Sequence, residues 1–223
     1  PATFPLGATT VTWTVTDGSG LTATATQVVT VEDNINPVAI TQDIPVNLDA
    51  NGSATITASQ IDNSSTDNCS ISTYALDVTT FTCSDLGANT VNLTVTDAAG
   101  NTNTTSATVT VVDNINPTIT APAAVTVNVD AGLCLTALSN VTLGSATTDD
   151  NCSVAGTTND APATFPLGAT TVTWTVTDGA GLTATATQVV TVVDNINPTI
   201  TAPAAVSVDA DAGLCTTALS NVT

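Results

Sequence analysis

The 223 residues contain no lysine, arginine, histidine or methionine. Without basic side chains no internal side-chain salt bridge can form, and phosphate cannot be gripped in the usual way, which excludes nucleic-acid binding. A basic amphipathic anchor is excluded for the same reason. No apolar run approaches the roughly 20 residues that span a bilayer, so no membrane insertion is expected in this segment. Catalysis near neutral pH would have no His or Lys base. The best carboxylate pair for glycoside hydrolysis, Asp149-Asp150, is adjacent in a predicted loop and reads as a solvated turn. No enzyme activity is expected. Lysine–asparagine isopeptide cross-links are also unavailable. Aromatics are few (two Trp, one Tyr, three Phe), which argues against an exposed aromatic lectin surface.

What is present is acidic: eighteen Asp and one Glu give a net charge of −19. That balance leaves cations, and basic or carbohydrate surfaces, as partners. High net charge can mean disorder. Here the apolar fraction is 42% and alternates with threonine, so the chain is expected to fold. Five cysteines point to an oxidising, extracellular compartment.

The organising feature is repetition. Asp33-Asn34-Ile35-Asn36-Pro37 recurs at Asp113–Pro117 and Asp194–Pro198, spaced by 80 and 81 residues. Pro1–Val31 recurs as Pro162–Val192, with Ser19 replaced by Ala180. The expected division is 1–32, the second half of a repeat; 33–112 and 113–193, whole repeats of two types; and 194–223, the start of another. Each reads as β. Val11, Trp13 and Val15 alternate with threonines, giving a strand with one buried face and Trp13 and Trp174 pointing inward. Asp17-Gly18-Ser19-Gly20 supplies a hairpin turn that recurs at Asp97 and Asp178, and Asn51-Gly52 predicts a second hairpin. Seven short strands in about eighty residues predict an all-β chain of immunoglobulin-like sandwiches, arranged end to end. The Thr-x-Thr rows are ordinary solvent-facing strand residues rather than an ice-binding array.

The run Phe165-Pro166-Leu167-Gly168-Ala169-Thr170-Thr171-Val172-Thr173-Trp174, followed by Thr177-Asp178, Val192-Val193-Asp194 and Pro198, resembles the hyalin repeat (HYR). Gly132-Leu133-Cys134 and Asp150-Asn151-Cys152 match that repeat's cysteine positions. The variant with Asp67-Asn68-Cys69 and Phe81-Thr82-Cys83 resembles modules that alternate with hyalin repeats in giant adhesins of gliding Bacteroidota. The resemblance implies an immunoglobulin-like fold, a cell-surface location and a role in adhesion.

The simplest cysteine pairing stays within repeats: Cys69 with Cys83 and Cys134 with Cys152, each loop adding about 3 kcal/mol by closure entropy. Cys215 repeats Cys134 at an offset of 81, which places its partner beyond the 223 residues. One tension is geometric. A cysteine opening a strand and another following it could lie at opposite ends, too far apart to bond. Zinc is excluded by the absence of histidine and of close cysteine spacing.

An immunoglobulin-like path brings Asp67 and Asp97 back to the preceding linker, with Asp33, Asn34 and Asn36. The same path brings Asp149, Asp150 and Asp178 to Asp113, Asn114 and Asn116. Such oxygen sets suit Ca²⁺, which takes six to eight oxygen ligands. The alternative is that Asp17, Asp97 and Asp178 shape turns and Asp33, Asp113 and Asp194 are solvated. The expected function is a structural stalk of a surface adhesin, with neighbouring repeats as partners. The rival reading makes the repeats themselves the modules that bind a surface glycan or protein ligand.

Overall fold

A computed structural model describes residues 3–217. The ends of the expected first and last segments, 1–2 and 218–223, lie outside the described residues. Contacts divide the chain into two compact units. One comprises Pro1–Ala123, Leu143–Ala161 and Thr171–Gln188; the other comprises Ala124–Thr142, Pro162–Thr170 and Val189–Thr223.

In the first unit, β1 (Gly7–Thr16) and β2 (Thr22–Val31) form the expected hairpin, with Gly7 opposite Val31 and Thr16 opposite Thr22. Asp17 closes its turn by accepting the backbone N–H of Ser19 (2.8 Å) and Leu21 (3.0 Å). Trp13 departs from expectation: it is 62% exposed, whereas its counterpart Trp174 is 6% exposed. Both indoles donate to a glutamine carbonyl at 3.1 Å, Gln27 and Gln188 respectively. Gln188 also donates to the main-chain oxygens of Ala123 and Leu143, both at 2.8 Å.

Within the first unit a sandwich is built from β3 (Ile44–Asn47), β4 (Ser53–Thr55), the single turn of α1 (Ala58–Ile61), β5 (Ile71–Leu76), β6 (Thr80–Thr82), β7 (Gly87–Asp97) and β8 (Thr102–Val112). One sheet has the order β3-β8-β7-β5, with β3 parallel to β8 and the other neighbours antiparallel. The second layer holds the β4–β6 pair, and the bridges Val38–Thr66 and Thr41–Asp62 lie outside the named strands. Period-two alternation explains the layering. Val91, Leu93 and Val95 are fully buried while Asn92 between them faces outward. They pack with Leu48, Ile56, Ile61, Phe81, Val109 and Val111.

The Asn51-Gly52 signal marks a real turn, closed by Asp49 N–H to the Ser53 carbonyl at 2.8 Å. The flanking strands do not pair as a hairpin, however. β3 joins β8 and β4 joins β6, so the turn carries the chain from one sheet to the other.

Residues from 113 onward supply β9 (Thr118–Thr120), β10 (Val125–Asn128), β11 (Leu135–Ala137), β12 (Thr147–Asp149), β13 (Val154–Asn159), β14 (Thr164–Pro166), β15 (Gly168–Asp178) and β16 (Thr183–Val193). In the first unit β12 pairs with β9, and β13 pairs with β15 from Val154–Asp178 to Asn159–Trp174. In the second unit β10 runs parallel to β16, β11 is antiparallel to β14, and Phe165, Val190 and Val192 are buried. The protein is all-β, a tandem array of immunoglobulin-like sandwich repeats.

Candidate cation sites and the cysteine bridge

Each linker aspartate caps its own short segment. The Asp33 carboxylate accepts Ile35 N–H (3.1 Å), and Asp113 accepts Ile115 N–H (3.1 Å), which fixes the Asp-Asn-Ile run before the proline. A second aspartate opens the Asp-Asn-Cys loop. Asp67 Oδ2 accepts the N–H of Cys69 and Ser70 (2.8 and 2.9 Å), and Asp150 Oδ2 accepts those of Cys152 and Ser153 (both 2.9 Å). A third sits in the last hairpin turn. Asp97 Oδ1 accepts Asn101 N–H, and Asp178 Oδ1 accepts Ala180 and Leu182 N–H. Nothing basic is available to draw these carboxylates together.

The three nevertheless converge. Asp33, Asp67 and Asp97 form one cluster and Asp113, Asp150 and Asp178 another, each offering carboxylate oxygens within 4.8 Å of one another. Two oxygens bound to one calcium at about 2.4 Å can be no more than roughly 4.8 Å apart, so this spacing suits a shared cation. Asp97 and Asp178 are nearly inaccessible, at 2% and 1% exposure. In the second cluster Asp150 Oδ1, Asn151 Oδ1 and Asp178 Oδ2 are buried with no hydrogen-bond partner, and in the first Asp67 Oδ1 is likewise unpartnered. Buried polar oxygens are normally satisfied. The donor set of each cluster (three carboxylates, without sulfur or imidazole) fits a hard cation such as Ca²⁺.

The clusters are not identical. In the first, the Asn101 side-chain amide donates to Asp97 Oδ2 (2.8 Å) and to the Asp33 carbonyl (3.0 Å). Burial pushes the Asp97 carboxyl up, but hydrogen bonds from the side chain and backbone of Asn101, with Gly100 and Ala99, outweigh it and hold the group below its ordinary value. Leu182 stands at the position of Asn101 in the second cluster and offers no such donor.

Of the eleven expected ligands, six make up the two clusters. Asn34 and Asn36 are exposed. Asn114 donates to Asn47 Oδ1 at 2.9 Å, and Asn116 lines a shallow hollow with Ile115 and Thr118. Asp149 is exposed on β12, where its carbonyl accepts the Thr118 hydroxyl. Asn151 was not among the expected ligands. Its alignment with Asn68 in the Asp-Asn-Cys motif was the available signal.

The cysteines correct the expected pairing. Cys83 is bonded to Cys152, with Cα atoms 5.4 Å apart, and Cys69, Cys134 and Cys215 are free among the described residues. The within-repeat pair Cys69–Cys83 is ruled out by geometry. Cys69 precedes Ile71, which pairs with Asp97 at one end of β7, while Cys83 lies near Gly87 at the other. Those ends are about 34 Å apart along the strand, against the roughly 7 Å Cα limit for a disulfide. The Cys134–Cys152 pair is absent because Cys152 is already bound. Cys83 thus joins one repeat to the next, closing a loop across 69 residues.

No family model and no curated protein matches the chain, so the hyalin-repeat likeness rests on the residues quoted above. Among solved structures, three extracellular domains of mouse clustered PcdhgC3 align at a TM-score of 0.33 and 14% identity, over 85% of this chain and 78% of that one. Mouse cadherin-23 EC22-24 aligns at 0.36 and 15%, over 84% and 74%. Drosophila N-cadherin EC1-4 aligns at 0.37 and 14%, over 71% and 49%. Alignments this loose leave the sandwich assignment resting on the strand pairing and core. The class that fold and sites define is a tandem β-sandwich segment with acidic clusters at Asp33 and at Asp113. Among the described residues no helix is long and apolar enough to cross a membrane.

Proposed function

We propose that this chain is part of the extracellular stalk of a surface adhesin, a non-catalytic array divided near residues 33, 113 and 194 and held by Ca²⁺ at its linkers. One observation carries the reading. The same three-carboxylate cluster recurs at two successive linkers and draws one residue from the linker and two from the repeat that follows. Asp113, Asp150, Asp178 and the Asn151 amide oxygen would hold the second ion, and Asp33, Asp67 and Asp97 the first. The bound ion would offset repulsion that no lysine or arginine here can relieve. The linker, the Asp-Asn-Cys loop and the last hairpin would then be tied to one centre, and the junction would stiffen. A stalk needs such stiffness to project a binding tip.

Calorimetric titration of chelator-treated oxidised protein with Ca²⁺ tests the cation. Saturable uptake below millimolar, with a raised melting temperature, is expected. No uptake in that range and an unchanged melting temperature would return the aspartates to the role of turn formers. Binding of purified repeats to cell-surface glycans at micromolar strength would replace the stalk by a ligand-binding module.

A further inference from the structure

We infer that Cys69 and Cys134 are each one half of a further repeat-to-repeat disulfide of the Cys83–Cys152 kind, with partners in repeats outside these 223 residues. The inference rests on the tandem-array reading but not on cation binding.

The acceptor loops are the same. Around Cys152, Asp150 Oδ2 takes two backbone N–H groups, and the Asn151 amide reaches Asp113 Oδ1 (3.2 Å) and the Cys152 sulfur (3.5 Å). Around Cys69, Asp67 Oδ2 takes the equivalent N–H groups, and the Asn68 amide reaches Asp33 Oδ1 (3.2 Å) and the Cys69 sulfur (3.3 Å). In these four bonds Cys69 is held as Cys152 is held, yet it is free and exposed.

The donor positions also correspond. Cys83 lies one rung beyond the Ser53–Thr82 pair of β4 and β6, opposite Gly52. A Cβ on Gly52 would lie 2.5 Å from the Cys83 sulfur and 2.6 Å from the Asn151 carbonyl oxygen. A side chain from either strand at this rung therefore projects to the same spot, against the loop that carries Cys152. In the second unit the matching rung lies beyond the Leu135–Pro166 pair of β11 and β14. It holds Cys134 and Leu167, joined by Leu167 N–H to the Cys134 carbonyl at 3.2 Å. The cysteine has changed strand, and leucine stands where Cys83 stood. Each rung thus keeps one cysteine, and Gly52 is the residue that makes room when it comes from the other side.

The remaining halves are identified by repeat phase. Leu6 repeats Leu167 at an offset of 161, so the residues before Asp33 follow the leucine type, and on this proposal the matching hairpin-strand cysteine would precede Pro1. That cysteine is the partner of Cys69. The partner of Cys134 is the Asp-Asn-Cys cysteine of the repeat that begins at Asp194, past Thr223, and Cys215 repeats the role of Cys134 one step further. Each bond forms as two thiols surrender two protons and two electrons to a disulfide-bearing oxidant of the compartment, which leaves as a dithiol. The Cys69 thiol is held above its ordinary value, first by its hydrogen bond to Asp33, then by burial and the charges of Asp33, Asp67 and Asp97.

The test is peptide mapping of the full parent protein, cleaved at aspartate without reduction, with thiols alkylated first. The expected fragments join the Cys69 peptide to a Gly-Leu-Cys peptide of the preceding repeat, and the Cys134 peptide to an Asp-Asn-Cys peptide of the following one. Both cysteines should carry less than one tenth of the alkylation seen after reduction. Cys69 or Cys134 alkylated as free thiols, or found bonded within their own repeats, would overturn the inference while leaving the array intact. A parent chain with no repeat on either side would sink both it and the array reading.

Discussion

A single amide separates the two acidic clusters, and it gives the sharpest test of their chemistry. Asn101 already satisfies one Asp97 oxygen, whereas Asp178 Oδ2 has no partner. The Asp113 cluster should therefore bind Ca²⁺ more tightly than the Asp33 cluster. Leu182→Asn should weaken the stronger site roughly tenfold and Asn101→Leu should strengthen the weaker one, the scale of changes in groups that orient ligands. Two-site calorimetry would read both effects, and no shift in either would count against cation binding. Other carboxyls bear on stability. Asp130 accepts Ala137 N–H, then the Asn140 and Thr136 side chains, which hold it below the ordinary 3.8, and Asp49 is held low by Ser53 and Asn51 backbone groups. Between its folded and unfolded pKa each such group binds more protons when unfolded. Stability is thus complete above about pH 4 and declines as pH falls through the lowered folded values. Thermal melts in chelator from pH 7 to pH 2 should show a flat upper limb and a fall beginning near that point.

At the scale of elements, the long hairpins were legible because threonine–apolar alternation and an Asp-Gly-type turn specify both partners locally. β1–β2 and β7–β8 follow from residues next to one another in sequence. The convergence of Asp67 and Asp97 on Asp33 followed from tracing a sandwich path. What could not be read was which end of a strand meets which neighbour. The Asn51-Gly52 turn looks like a hairpin turn whether its arms share a sheet or change sheets, because period-two burial is the same in both cases. The cysteine pairing failed for a related reason, since closeness in sequence hid the length of β7 between Cys69 and Cys83. Leu93, fully buried on that strand, should cost about 2–5 kcal/mol on replacement by alanine. Gly52→Ala should destabilise more than Gly100→Ala. Both have positive φ, but only at Gly52 would the new carbon meet the Cys83 sulfur and the Asn151 backbone. Urea unfolding of the two variants side by side checks the order.

For the whole molecule, the bridge between Cys83 and Cys152 is the disulfide found among the described residues. By loop-closure entropy a 69-residue separation is worth up to about 4.4 kcal/mol. A reductant should lower the melting temperature of oxidised protein, and Cys83→Ser should abolish that sensitivity. The same bridge matters in another way if the array is pulled. Strands β3 and β8 stand near the start and end of one repeat and run parallel, so tension between its ends loads their four residue pairs in shear, all at once rather than one by one. Should that patch give way, the 69-residue segment still cannot pay out. About 230 Å of chain, at roughly 3.3 Å per residue, stays out of the load path until the sulfur bond is reduced. In a force spectrometer the protein should therefore lengthen in two instalments, the second appearing only with reductant. A tether built this way would lengthen under a sudden tug without surrendering its full slack.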